Sequence, residues 1–251
     1  MTWALDLDGV LWRGDTAIPG SAGAVAALRS RGERVVFLTN NSHERVDAYV
    51  AKLERVGVSA APDDVVTSGQ AAAQLLERGT TALVCGGPGV VEALDAAGVK
   101  VVEEGPADAV VVGWHSSFDY ERLTIATCAV LDGARLVGTN DDATYPTADG
   151  LIPGGGAILA AIAYASGATP EVAGKPNQAM VDLVAGRVGP VEVMVGDRPN
   201  TDGLLARNMG ARFGLVLSGV TKESDLPVEP EPDFVAPDLA TLVTQWERDG
   251  D

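Results

Sequence analysis

The sequence predicts an α/β protein built on a mainly parallel sheet. Three observations carry that reading: short β-branched runs recur along the chain, helical patterns fill the gaps between them, and polar residues follow several strand ends. The apolar segment 2–5 is the first strand, and ERVVFLT (33–39) is the second. Further strands are expected at 81–87, 99–104, 108–114, 191–197 and 212–217. Helical patterns lie at about 22–30, 42–56, 70–77, 90–97, 120–131, 158–166, 178–185 and 201–209, with Gly57 as the stop signal of the second. The Pro-rich acidic stretch 226–234 reads as a surface loop before a last strand and helix. No repeat of fixed period and no long low-complexity tract is visible.

Bulk composition narrows the classes. With 251 residues and 46% hydrophobic content, the chain can bury one large core or two smaller ones. Aromatics are only 5%, so Val, Leu, Ile and Ala must build it. The net charge of −17 argues against nucleic acid or an anionic membrane surface as the main partner. An anionic ligand would then need local attraction from a metal, a lysine or helix N-termini. Lysine is scarce, at positions 52, 100, 175 and 222 alone, so a lysine in a special context stands out. Cys85 and Cys128 lie in apolar surroundings and are expected as reduced thiols of a cytoplasmic protein. Asp6 and Asp8 interrupt the opening apolar run, so no signal peptide is expected, and 157–165 is too short to span a bilayer.

In open α/β sheets ligands sit beyond the carboxyl ends of the strands. Four elements fall there in order: Asp6-x-Asp8 in DLDGV, Thr39-Asn40, Lys175, and Gly196-Asp197 with Asp202 beyond. Residues two apart on a strand share a face, so Asp6 and Asp8 can approach one place, with Gly9 turning the chain away. Such a pair repels unless a cation or a shared proton intervenes. Each element has a plainer reading. DLDGV is also a strand end running into an Asx turn. Thr39 and Ser42 are also helix caps. Lys175 before Pro176 is also an ordinary surface lysine, and GDRPNTD (196–202) a turn into a helix. Jointly, the ordered set suits a hard cation and a phosphoryl group. Mg²⁺ takes oxygen ligands, and carboxylates of Asp6 and Asp197 with the Asp8 backbone carbonyl supply them. A carboxylate can attack phosphorus while a second carboxyl moves the proton. The Thr39 hydroxyl, the Asn40 N–H and the Lys175 ammonium can hold the equatorial oxygens.

The segments DLDGVL, FLTNNS, GTNDDATYP, GLIPGGGA, GKP and VGDRPNTD resemble, over nearly the whole chain, the haloacid dehalogenase superfamily of phosphatases. Within it they are similar to the nitrophenyl-phosphatase-like subgroup. The resemblance implies a Rossmann-like parallel-sheet core over 1–70 and 168–251, with an α/β cap of the C2 type inserted over 71–167. It implies Asp6 as nucleophile and Asp8 as general acid/base. It also implies Asp6, Asp8 and Asp197 as Mg²⁺ ligands, and phosphate contacts from Thr39, Asn40 and Lys175. Asp202 would support the metal through the surrounding waters, and residues 10–20 would form a small flap beside the site. The implied activity is hydrolysis of a small-molecule phosphomonoester, with neither nucleic acid nor membrane as partner and a homodimer through the cap. A phosphomutase or phosphotransferase would use the same chemistry with a hydroxyl as acceptor. A receiver-like signalling module would share the Asp, hydroxyl and lysine, but Asp8 and the large insert speak against it.

Two departures from the family pattern follow. Many relatives carry Asp after the cap strand that ends VVG, whereas this chain has Trp114 and His115. His115 is read as a partly exposed surface histidine, and His43 as a helix-start residue. Pro199 and Asn200 replace an apolar and an acidic residue, leaving Asp197 and Asp202 in place. PGGGA (153–157) is read equally as a hinge or ligand-facing backbone and as a glycine-rich start to a helix.

Overall fold

The computed structural model describes residues 1–147 and 150–249. The chain divides into two compact units. The first comprises Met1–Thr39, Asp47–Val66 and Val184–Asp251, and the second Asn40–Val46 and Thr67–Leu183. The expected insert, 71–167, falls inside the second unit.

The first unit carries a six-stranded sheet. Its spatial order is Phe234–Ala236, Arg212–Val216, Val193–Gly196, Thr2–Asp6, Arg34–Thr39 and Val65–Thr67. Thr2–Asp6 is central and runs parallel to both neighbours, with Leu5 opposite Val195 on one side and Asp6 opposite Leu38 on the other. Trp3, Ala4 and Leu5, Val36–Leu38 and Val193–Val195 are fully buried. Such continuous apolar runs mark parallel strands covered on both faces. The register brings the ends of three strands to one edge, where Asp6, Thr39 and Asp197 emerge within a residue of one another. The chain leaves the central strand in one direction and returns on its other side, which is where open α/β sheets bind ligands.

The second unit has its own five-stranded parallel sheet, ordered Glu171–Val172, Arg135–Gly138, Ala109–Val112, Thr81–Cys85 and Lys100–Val102. Helices Tyr120–Leu131 and Gly155–Ser166 cover it, burying Leu83, Cys85, Val110, Val112, Leu136, Leu159 and Ile162. An antiparallel hairpin pairs Thr144–Thr147 with Gly150–Pro153.

Several expectations needed adjustment. The helix anticipated at 42–56 begins at Val46. Ser42 instead donates to Thr139 Oγ1 at 2.9 Å, and the His43 N–H closes an Asx turn on Asn41 Oδ1 at 3.0 Å. Neither Thr39 nor Ser42 caps the helix; the Val46 N–H is taken by Glu92 Oε2 at 2.9 Å. Over 201–209, a wide turn at Pro199–Gly203 precedes a short helix, Leu204–Met209. Strand Arg135–Gly138 escaped the sequence reading because four residues show no period, and its pairing along Ala109–Val112 is what defines it.

Phe213 is fully buried in strand Arg212–Val216, and a Cβ on Gly203 would stand 2.9 Å from its ring. Phe213→Ala is expected to cost about 3–5 kcal/mol of stability, the usual loss for emptying an aromatic core site. Urea unfolding should show a lower midpoint at unchanged slope; a midpoint within error of wild type would contradict this packing.

The two cysteines are free, with Cys85 buried and Cys128 exposed. Burial pushes the Cys85 thiol up to about 12, against a small opposing pull from the Arg122 charge. Reaction with Ellman's reagent at pH 8 should therefore count one thiol per native chain and two after denaturation. Two in the native protein would mean that the second unit's core is open.

Candidate active site

Three carboxylates meet in the first unit. Asp6, Asp197 and Asp202 each offer an oxygen, and these oxygens lie within 4.8 Å of one another. All three residues are buried, at 7%, 2% and 0% exposure. Each is fixed by a backbone N–H. Leu7 donates to Asp6 Oδ1 at 2.8 Å, Val220 to Asp197 Oδ2 at 2.5 Å, and Arg198 to Asp202 Oδ2 at 3.1 Å. Asp202 reaches its place because the wide turn returns its own N–H to Arg198 O at 2.8 Å. Three buried like charges repel unless a cation joins them. An all-oxygen, all-carboxylate donor set fits a hard divalent ion such as Mg²⁺ and not a soft metal.

Glycines make room for this group. Gly9 has φ +83°, and a Cβ there would run into the Asp197 carboxylate. A Cβ on Gly219 would strike the same carboxylate, and one on Gly196 would strike that of Asp202. The loop carrying Gly219 is pinned to the first motif, since Ser218 Oγ donates to Gly9 O at 2.6 Å and Arg13 Nε to Ser218 O.

Asp8 stands outside the three-carboxylate group. The strand ends at Asp6, so the i, i+2 rule stops applying there. The Asp8 carboxylate instead accepts the Trp12 indole N–H at 3.0 Å. Trp12 begins the two-residue hairpin Trp12–Arg13 with Thr16–Ala17, within the stretch expected as a flap. Thr39 is 2% exposed at the end of the neighbouring strand.

Asn40 and Lys175 belong to the second unit. The Asn40 side chain clamps the Lys175 backbone from both sides: its Oδ1 accepts the Lys175 N–H at 2.8 Å and its Nδ2 donates to Lys175 O at 3.1 Å. Gly174 is required here, because a Cβ would sit 2.6 Å from Asn40 Oδ1. Sequence reasoning expected only the Asn40 backbone to matter. It also passed over Ser68 and Asn140, both buried, which donate to Asn40 O at 2.6 and 2.8 Å. The signal for Asn140 was present in GTNDDATYP, but nothing in the spacing reveals that it braces Asn40. Lys175 is 2% exposed, which removes the surface-lysine reading.

Further along this unit, Trp114 packs edge-on against His43 at 4.6 Å and stacks on Tyr145 at 5.8 Å. His115 is half-buried against Phe118, and its Nδ1 has no hydrogen-bond partner among the described residues. Burial pulls its pKa below the ordinary value, helped by the charges of Arg122 and His43 and opposed by Asp119. The glycines of 153–157 open a helix whose start lies against the backbone of Asp141 and Asp142, where side chains on Gly154 or Gly156 would collide. Close packing accounts for them.

The haloacid dehalogenase-like hydrolase family matches residues 3–100, and a second HAD-hydrolase-like family region matches 172–242. The acid sugar phosphatase of Staphylococcus haemolyticus is 31% identical over 98% of this chain and 96% of its own length. This chain belongs to the haloacid dehalogenase-like hydrolases. The human glycerol-3-phosphate phosphatase is 36% identical over 94% of this chain and 84% of its own. Among solved structures, the glycerol phosphate phosphatase of Mycobacterium tuberculosis in complex with magnesium superposes with TM-score 0.89. It is 34% identical, covering 96% of this chain and 75% of that one.

Proposed function

We propose that this chain is a Mg²⁺-dependent phosphatase that hydrolyses a small-molecule phosphomonoester through an aspartyl-phosphate on Asp6. The buried group of Asp6, Asp197 and Asp202 is the observation that carries the reading. Asp6 and Asp197 hold the ion through carboxylates and Asp8 through its backbone carbonyl, with Asp202 supporting it. When bound, the ion offsets the repulsion between these carboxylates and the phosphate dianion.

An Asp6 carboxylate oxygen attacks phosphorus. The new bond joins Asp6 to the phosphoryl group, the ester P–O bond breaks, and the leaving oxygen takes a proton from the Asp8 carboxyl. The Asp8 carboxylate then takes a proton from water. That water oxygen attacks phosphorus, the bond to Asp6 breaks, and inorganic phosphate leaves. Thr39, Asn40 and Lys175 supply donors to the equatorial oxygens. The clamp on the Lys175 backbone fixes where that residue's chain starts.

The enzyme acts in the cytoplasm, a reading supported by its two unbridged cysteines. No helix among the described residues is long and apolar enough to cross a membrane. Two copies pair through the second unit, in keeping with the exposed Tyr120, Leu131 and Tyr164 on its two covering helices.

The test is phosphate release with Mg²⁺ across glycerol phosphate, phosphoglycolate, pyridoxal phosphate, nucleoside monophosphates, sugar phosphates and nitrophenyl phosphate. Release from at least one ester, abolished by EDTA and restored by Mg²⁺, is expected. No release from any ester would overturn the proposal.

A further inference from the structure

We propose that Trp12 is the positioning residue for Asp8, holding the acid/base carboxylate through its indole N–H while Lys52 sharpens that donor from the ring face. The inference rests on the reading of Asp8 given above.

Trp12 is fully buried. An indole offers a single donor and no acceptor, so its Nε1–H has one hydrogen bond to give. It gives that bond to Asp8 Oδ1 at 3.0 Å. The backbone fixes the pair in place: the Gly9 N–H donates to Trp12 O at 2.7 Å, and Asp8 and Trp12 form an isolated bridge. Asp8 itself lies two residues past the end of the central strand. A carboxylate that must first give a proton to a leaving oxygen and then take one from water needs a fixed direction, since a misplacement of about 1 Å can cost about 100-fold. The buried indole supplies that direction.

Lys52 supports the same contact. It is one of four lysines in the chain, and its Nζ lies 4.4 Å from the centroid of the Trp12 ring. A cation over an indole face is held by the ring's π density. It draws density from the ring and leaves the N–H a stronger donor. Lys52 also reaches Asp15, across the hairpin, at 3.9 Å. Lys52, the ring of Trp12 and the Asp8 carboxylate thus form one line of contacts inside the first unit.

The plainer account makes Trp12 a core residue whose N–H takes the nearest acceptor. A double-mutant cycle separates the two. Trp12→Phe keeps an aromatic ring in the core and removes the donor together with part of the indole's volume, a packing loss that the Asp8→Asn background carries equally. With nitrophenyl phosphate and Mg²⁺, we expect kcat to fall about 10–100-fold, as for loss of a side chain that orients a reacting group. KM should stay within about twofold, and acid-quenched phosphoenzyme should persist longer. In an Asp8→Asn background the same substitution should change kcat by less than about twofold, because nothing remains to be positioned. Where Trp12→Phe does not fold, Lys52→Met serves in its place, with a smaller fall that also disappears in the Asp8→Asn background.

An unchanged kcat, or an equal fall with and without Asp8, overturns the positioning role. If wild type itself releases no phosphate, the phosphatase reading has failed instead, and the two failures are told apart by that control.

Discussion

Asp6→Asn should abolish turnover while leaving the fold in place. The side chain is isosteric, and its Oδ1 can still accept the Leu7 N–H that holds the aspartate at 2.8 Å. What disappears is the nucleophile of the proposed mechanism, because an amide oxygen does not form the covalent bond to phosphorus. Removing a nucleophile of this kind typically lowers kcat by several orders of magnitude, and a fall of at least ~10³-fold is expected. Asp8→Asn should behave differently. Phosphoenzyme should still form with a good leaving group such as nitrophenolate, but its hydrolysis should slow by about 10²–10⁴-fold, the usual contribution of general acid–base catalysis. Rapid-quench experiments with ³²P-labelled substrate distinguish the two. Label should be absent from the Asp6 variant and accumulate on the Asp8 variant. An Asp6→Asn enzyme within about tenfold of wild type would mean that water attacks phosphorus directly and that the covalent route is wrong.

The parts of this site legible in the sequence are those fixed by strand ends. Asp6, Thr39 and Asp197 follow short apolar runs, and parallel pairing in register delivers them to one edge of one sheet. Residues fixed by tertiary hydrogen bonds were not legible in the same way. The sequence paired Asp6 with Asp8 by strand periodicity, but the strand stops at Asp6, and Asp202 joins the carboxylate group through the turn after Asp197. Asn40 looked like a source of one backbone N–H, whereas its side chain grips Lys175 from 135 residues away. Such contacts leave no period in the chain. Fold legibility followed the same line. The long apolar runs of the first sheet announced themselves, while Arg135–Gly138 and Glu171–Val172 are too short to show a pattern and exist through their pairing. Glycines were the exception. Gly9, Gly174 and Gly196 appear in DLDGV, GKP and VGDRPNTD; a Cβ would strike the Asp197 carboxylate at the first, Asn40 Oδ1 at the second and the Asp202 carboxylate at the third.

The carboxylate group also predicts how stability responds to the ion. In the absence of a cation, folding gathers three buried carboxylates within 4.8 Å, and their repulsion works against the folded state. A cation that binds the folded chain and not the unfolded one adds RT ln(1 + [L]/Kd), about 2.7 kcal/mol at a hundred times Kd. For a chain of this size that corresponds to a rise of roughly 5–10 °C in melting temperature. Adding Mg²⁺ to wild type should produce that rise, and EDTA should reverse it. Asp202→Asn sharpens the test because the sign of its effect should change with the ion. The amide can still accept the Arg198 N–H that now holds Asp202 at 3.1 Å, and it removes one of the three charges. In EDTA the variant should melt at or above wild type, since repulsion is relieved. In saturating Mg²⁺ it should melt below wild type, since a charged support of the ion is gone. The two melting curves should therefore exchange order between the two conditions. A variant less stable than wild type by the same amount in both would make Asp202 a structural residue of its turn. A wild-type melting temperature indifferent to Mg²⁺ would remove the ion from this group of carboxylates altogether.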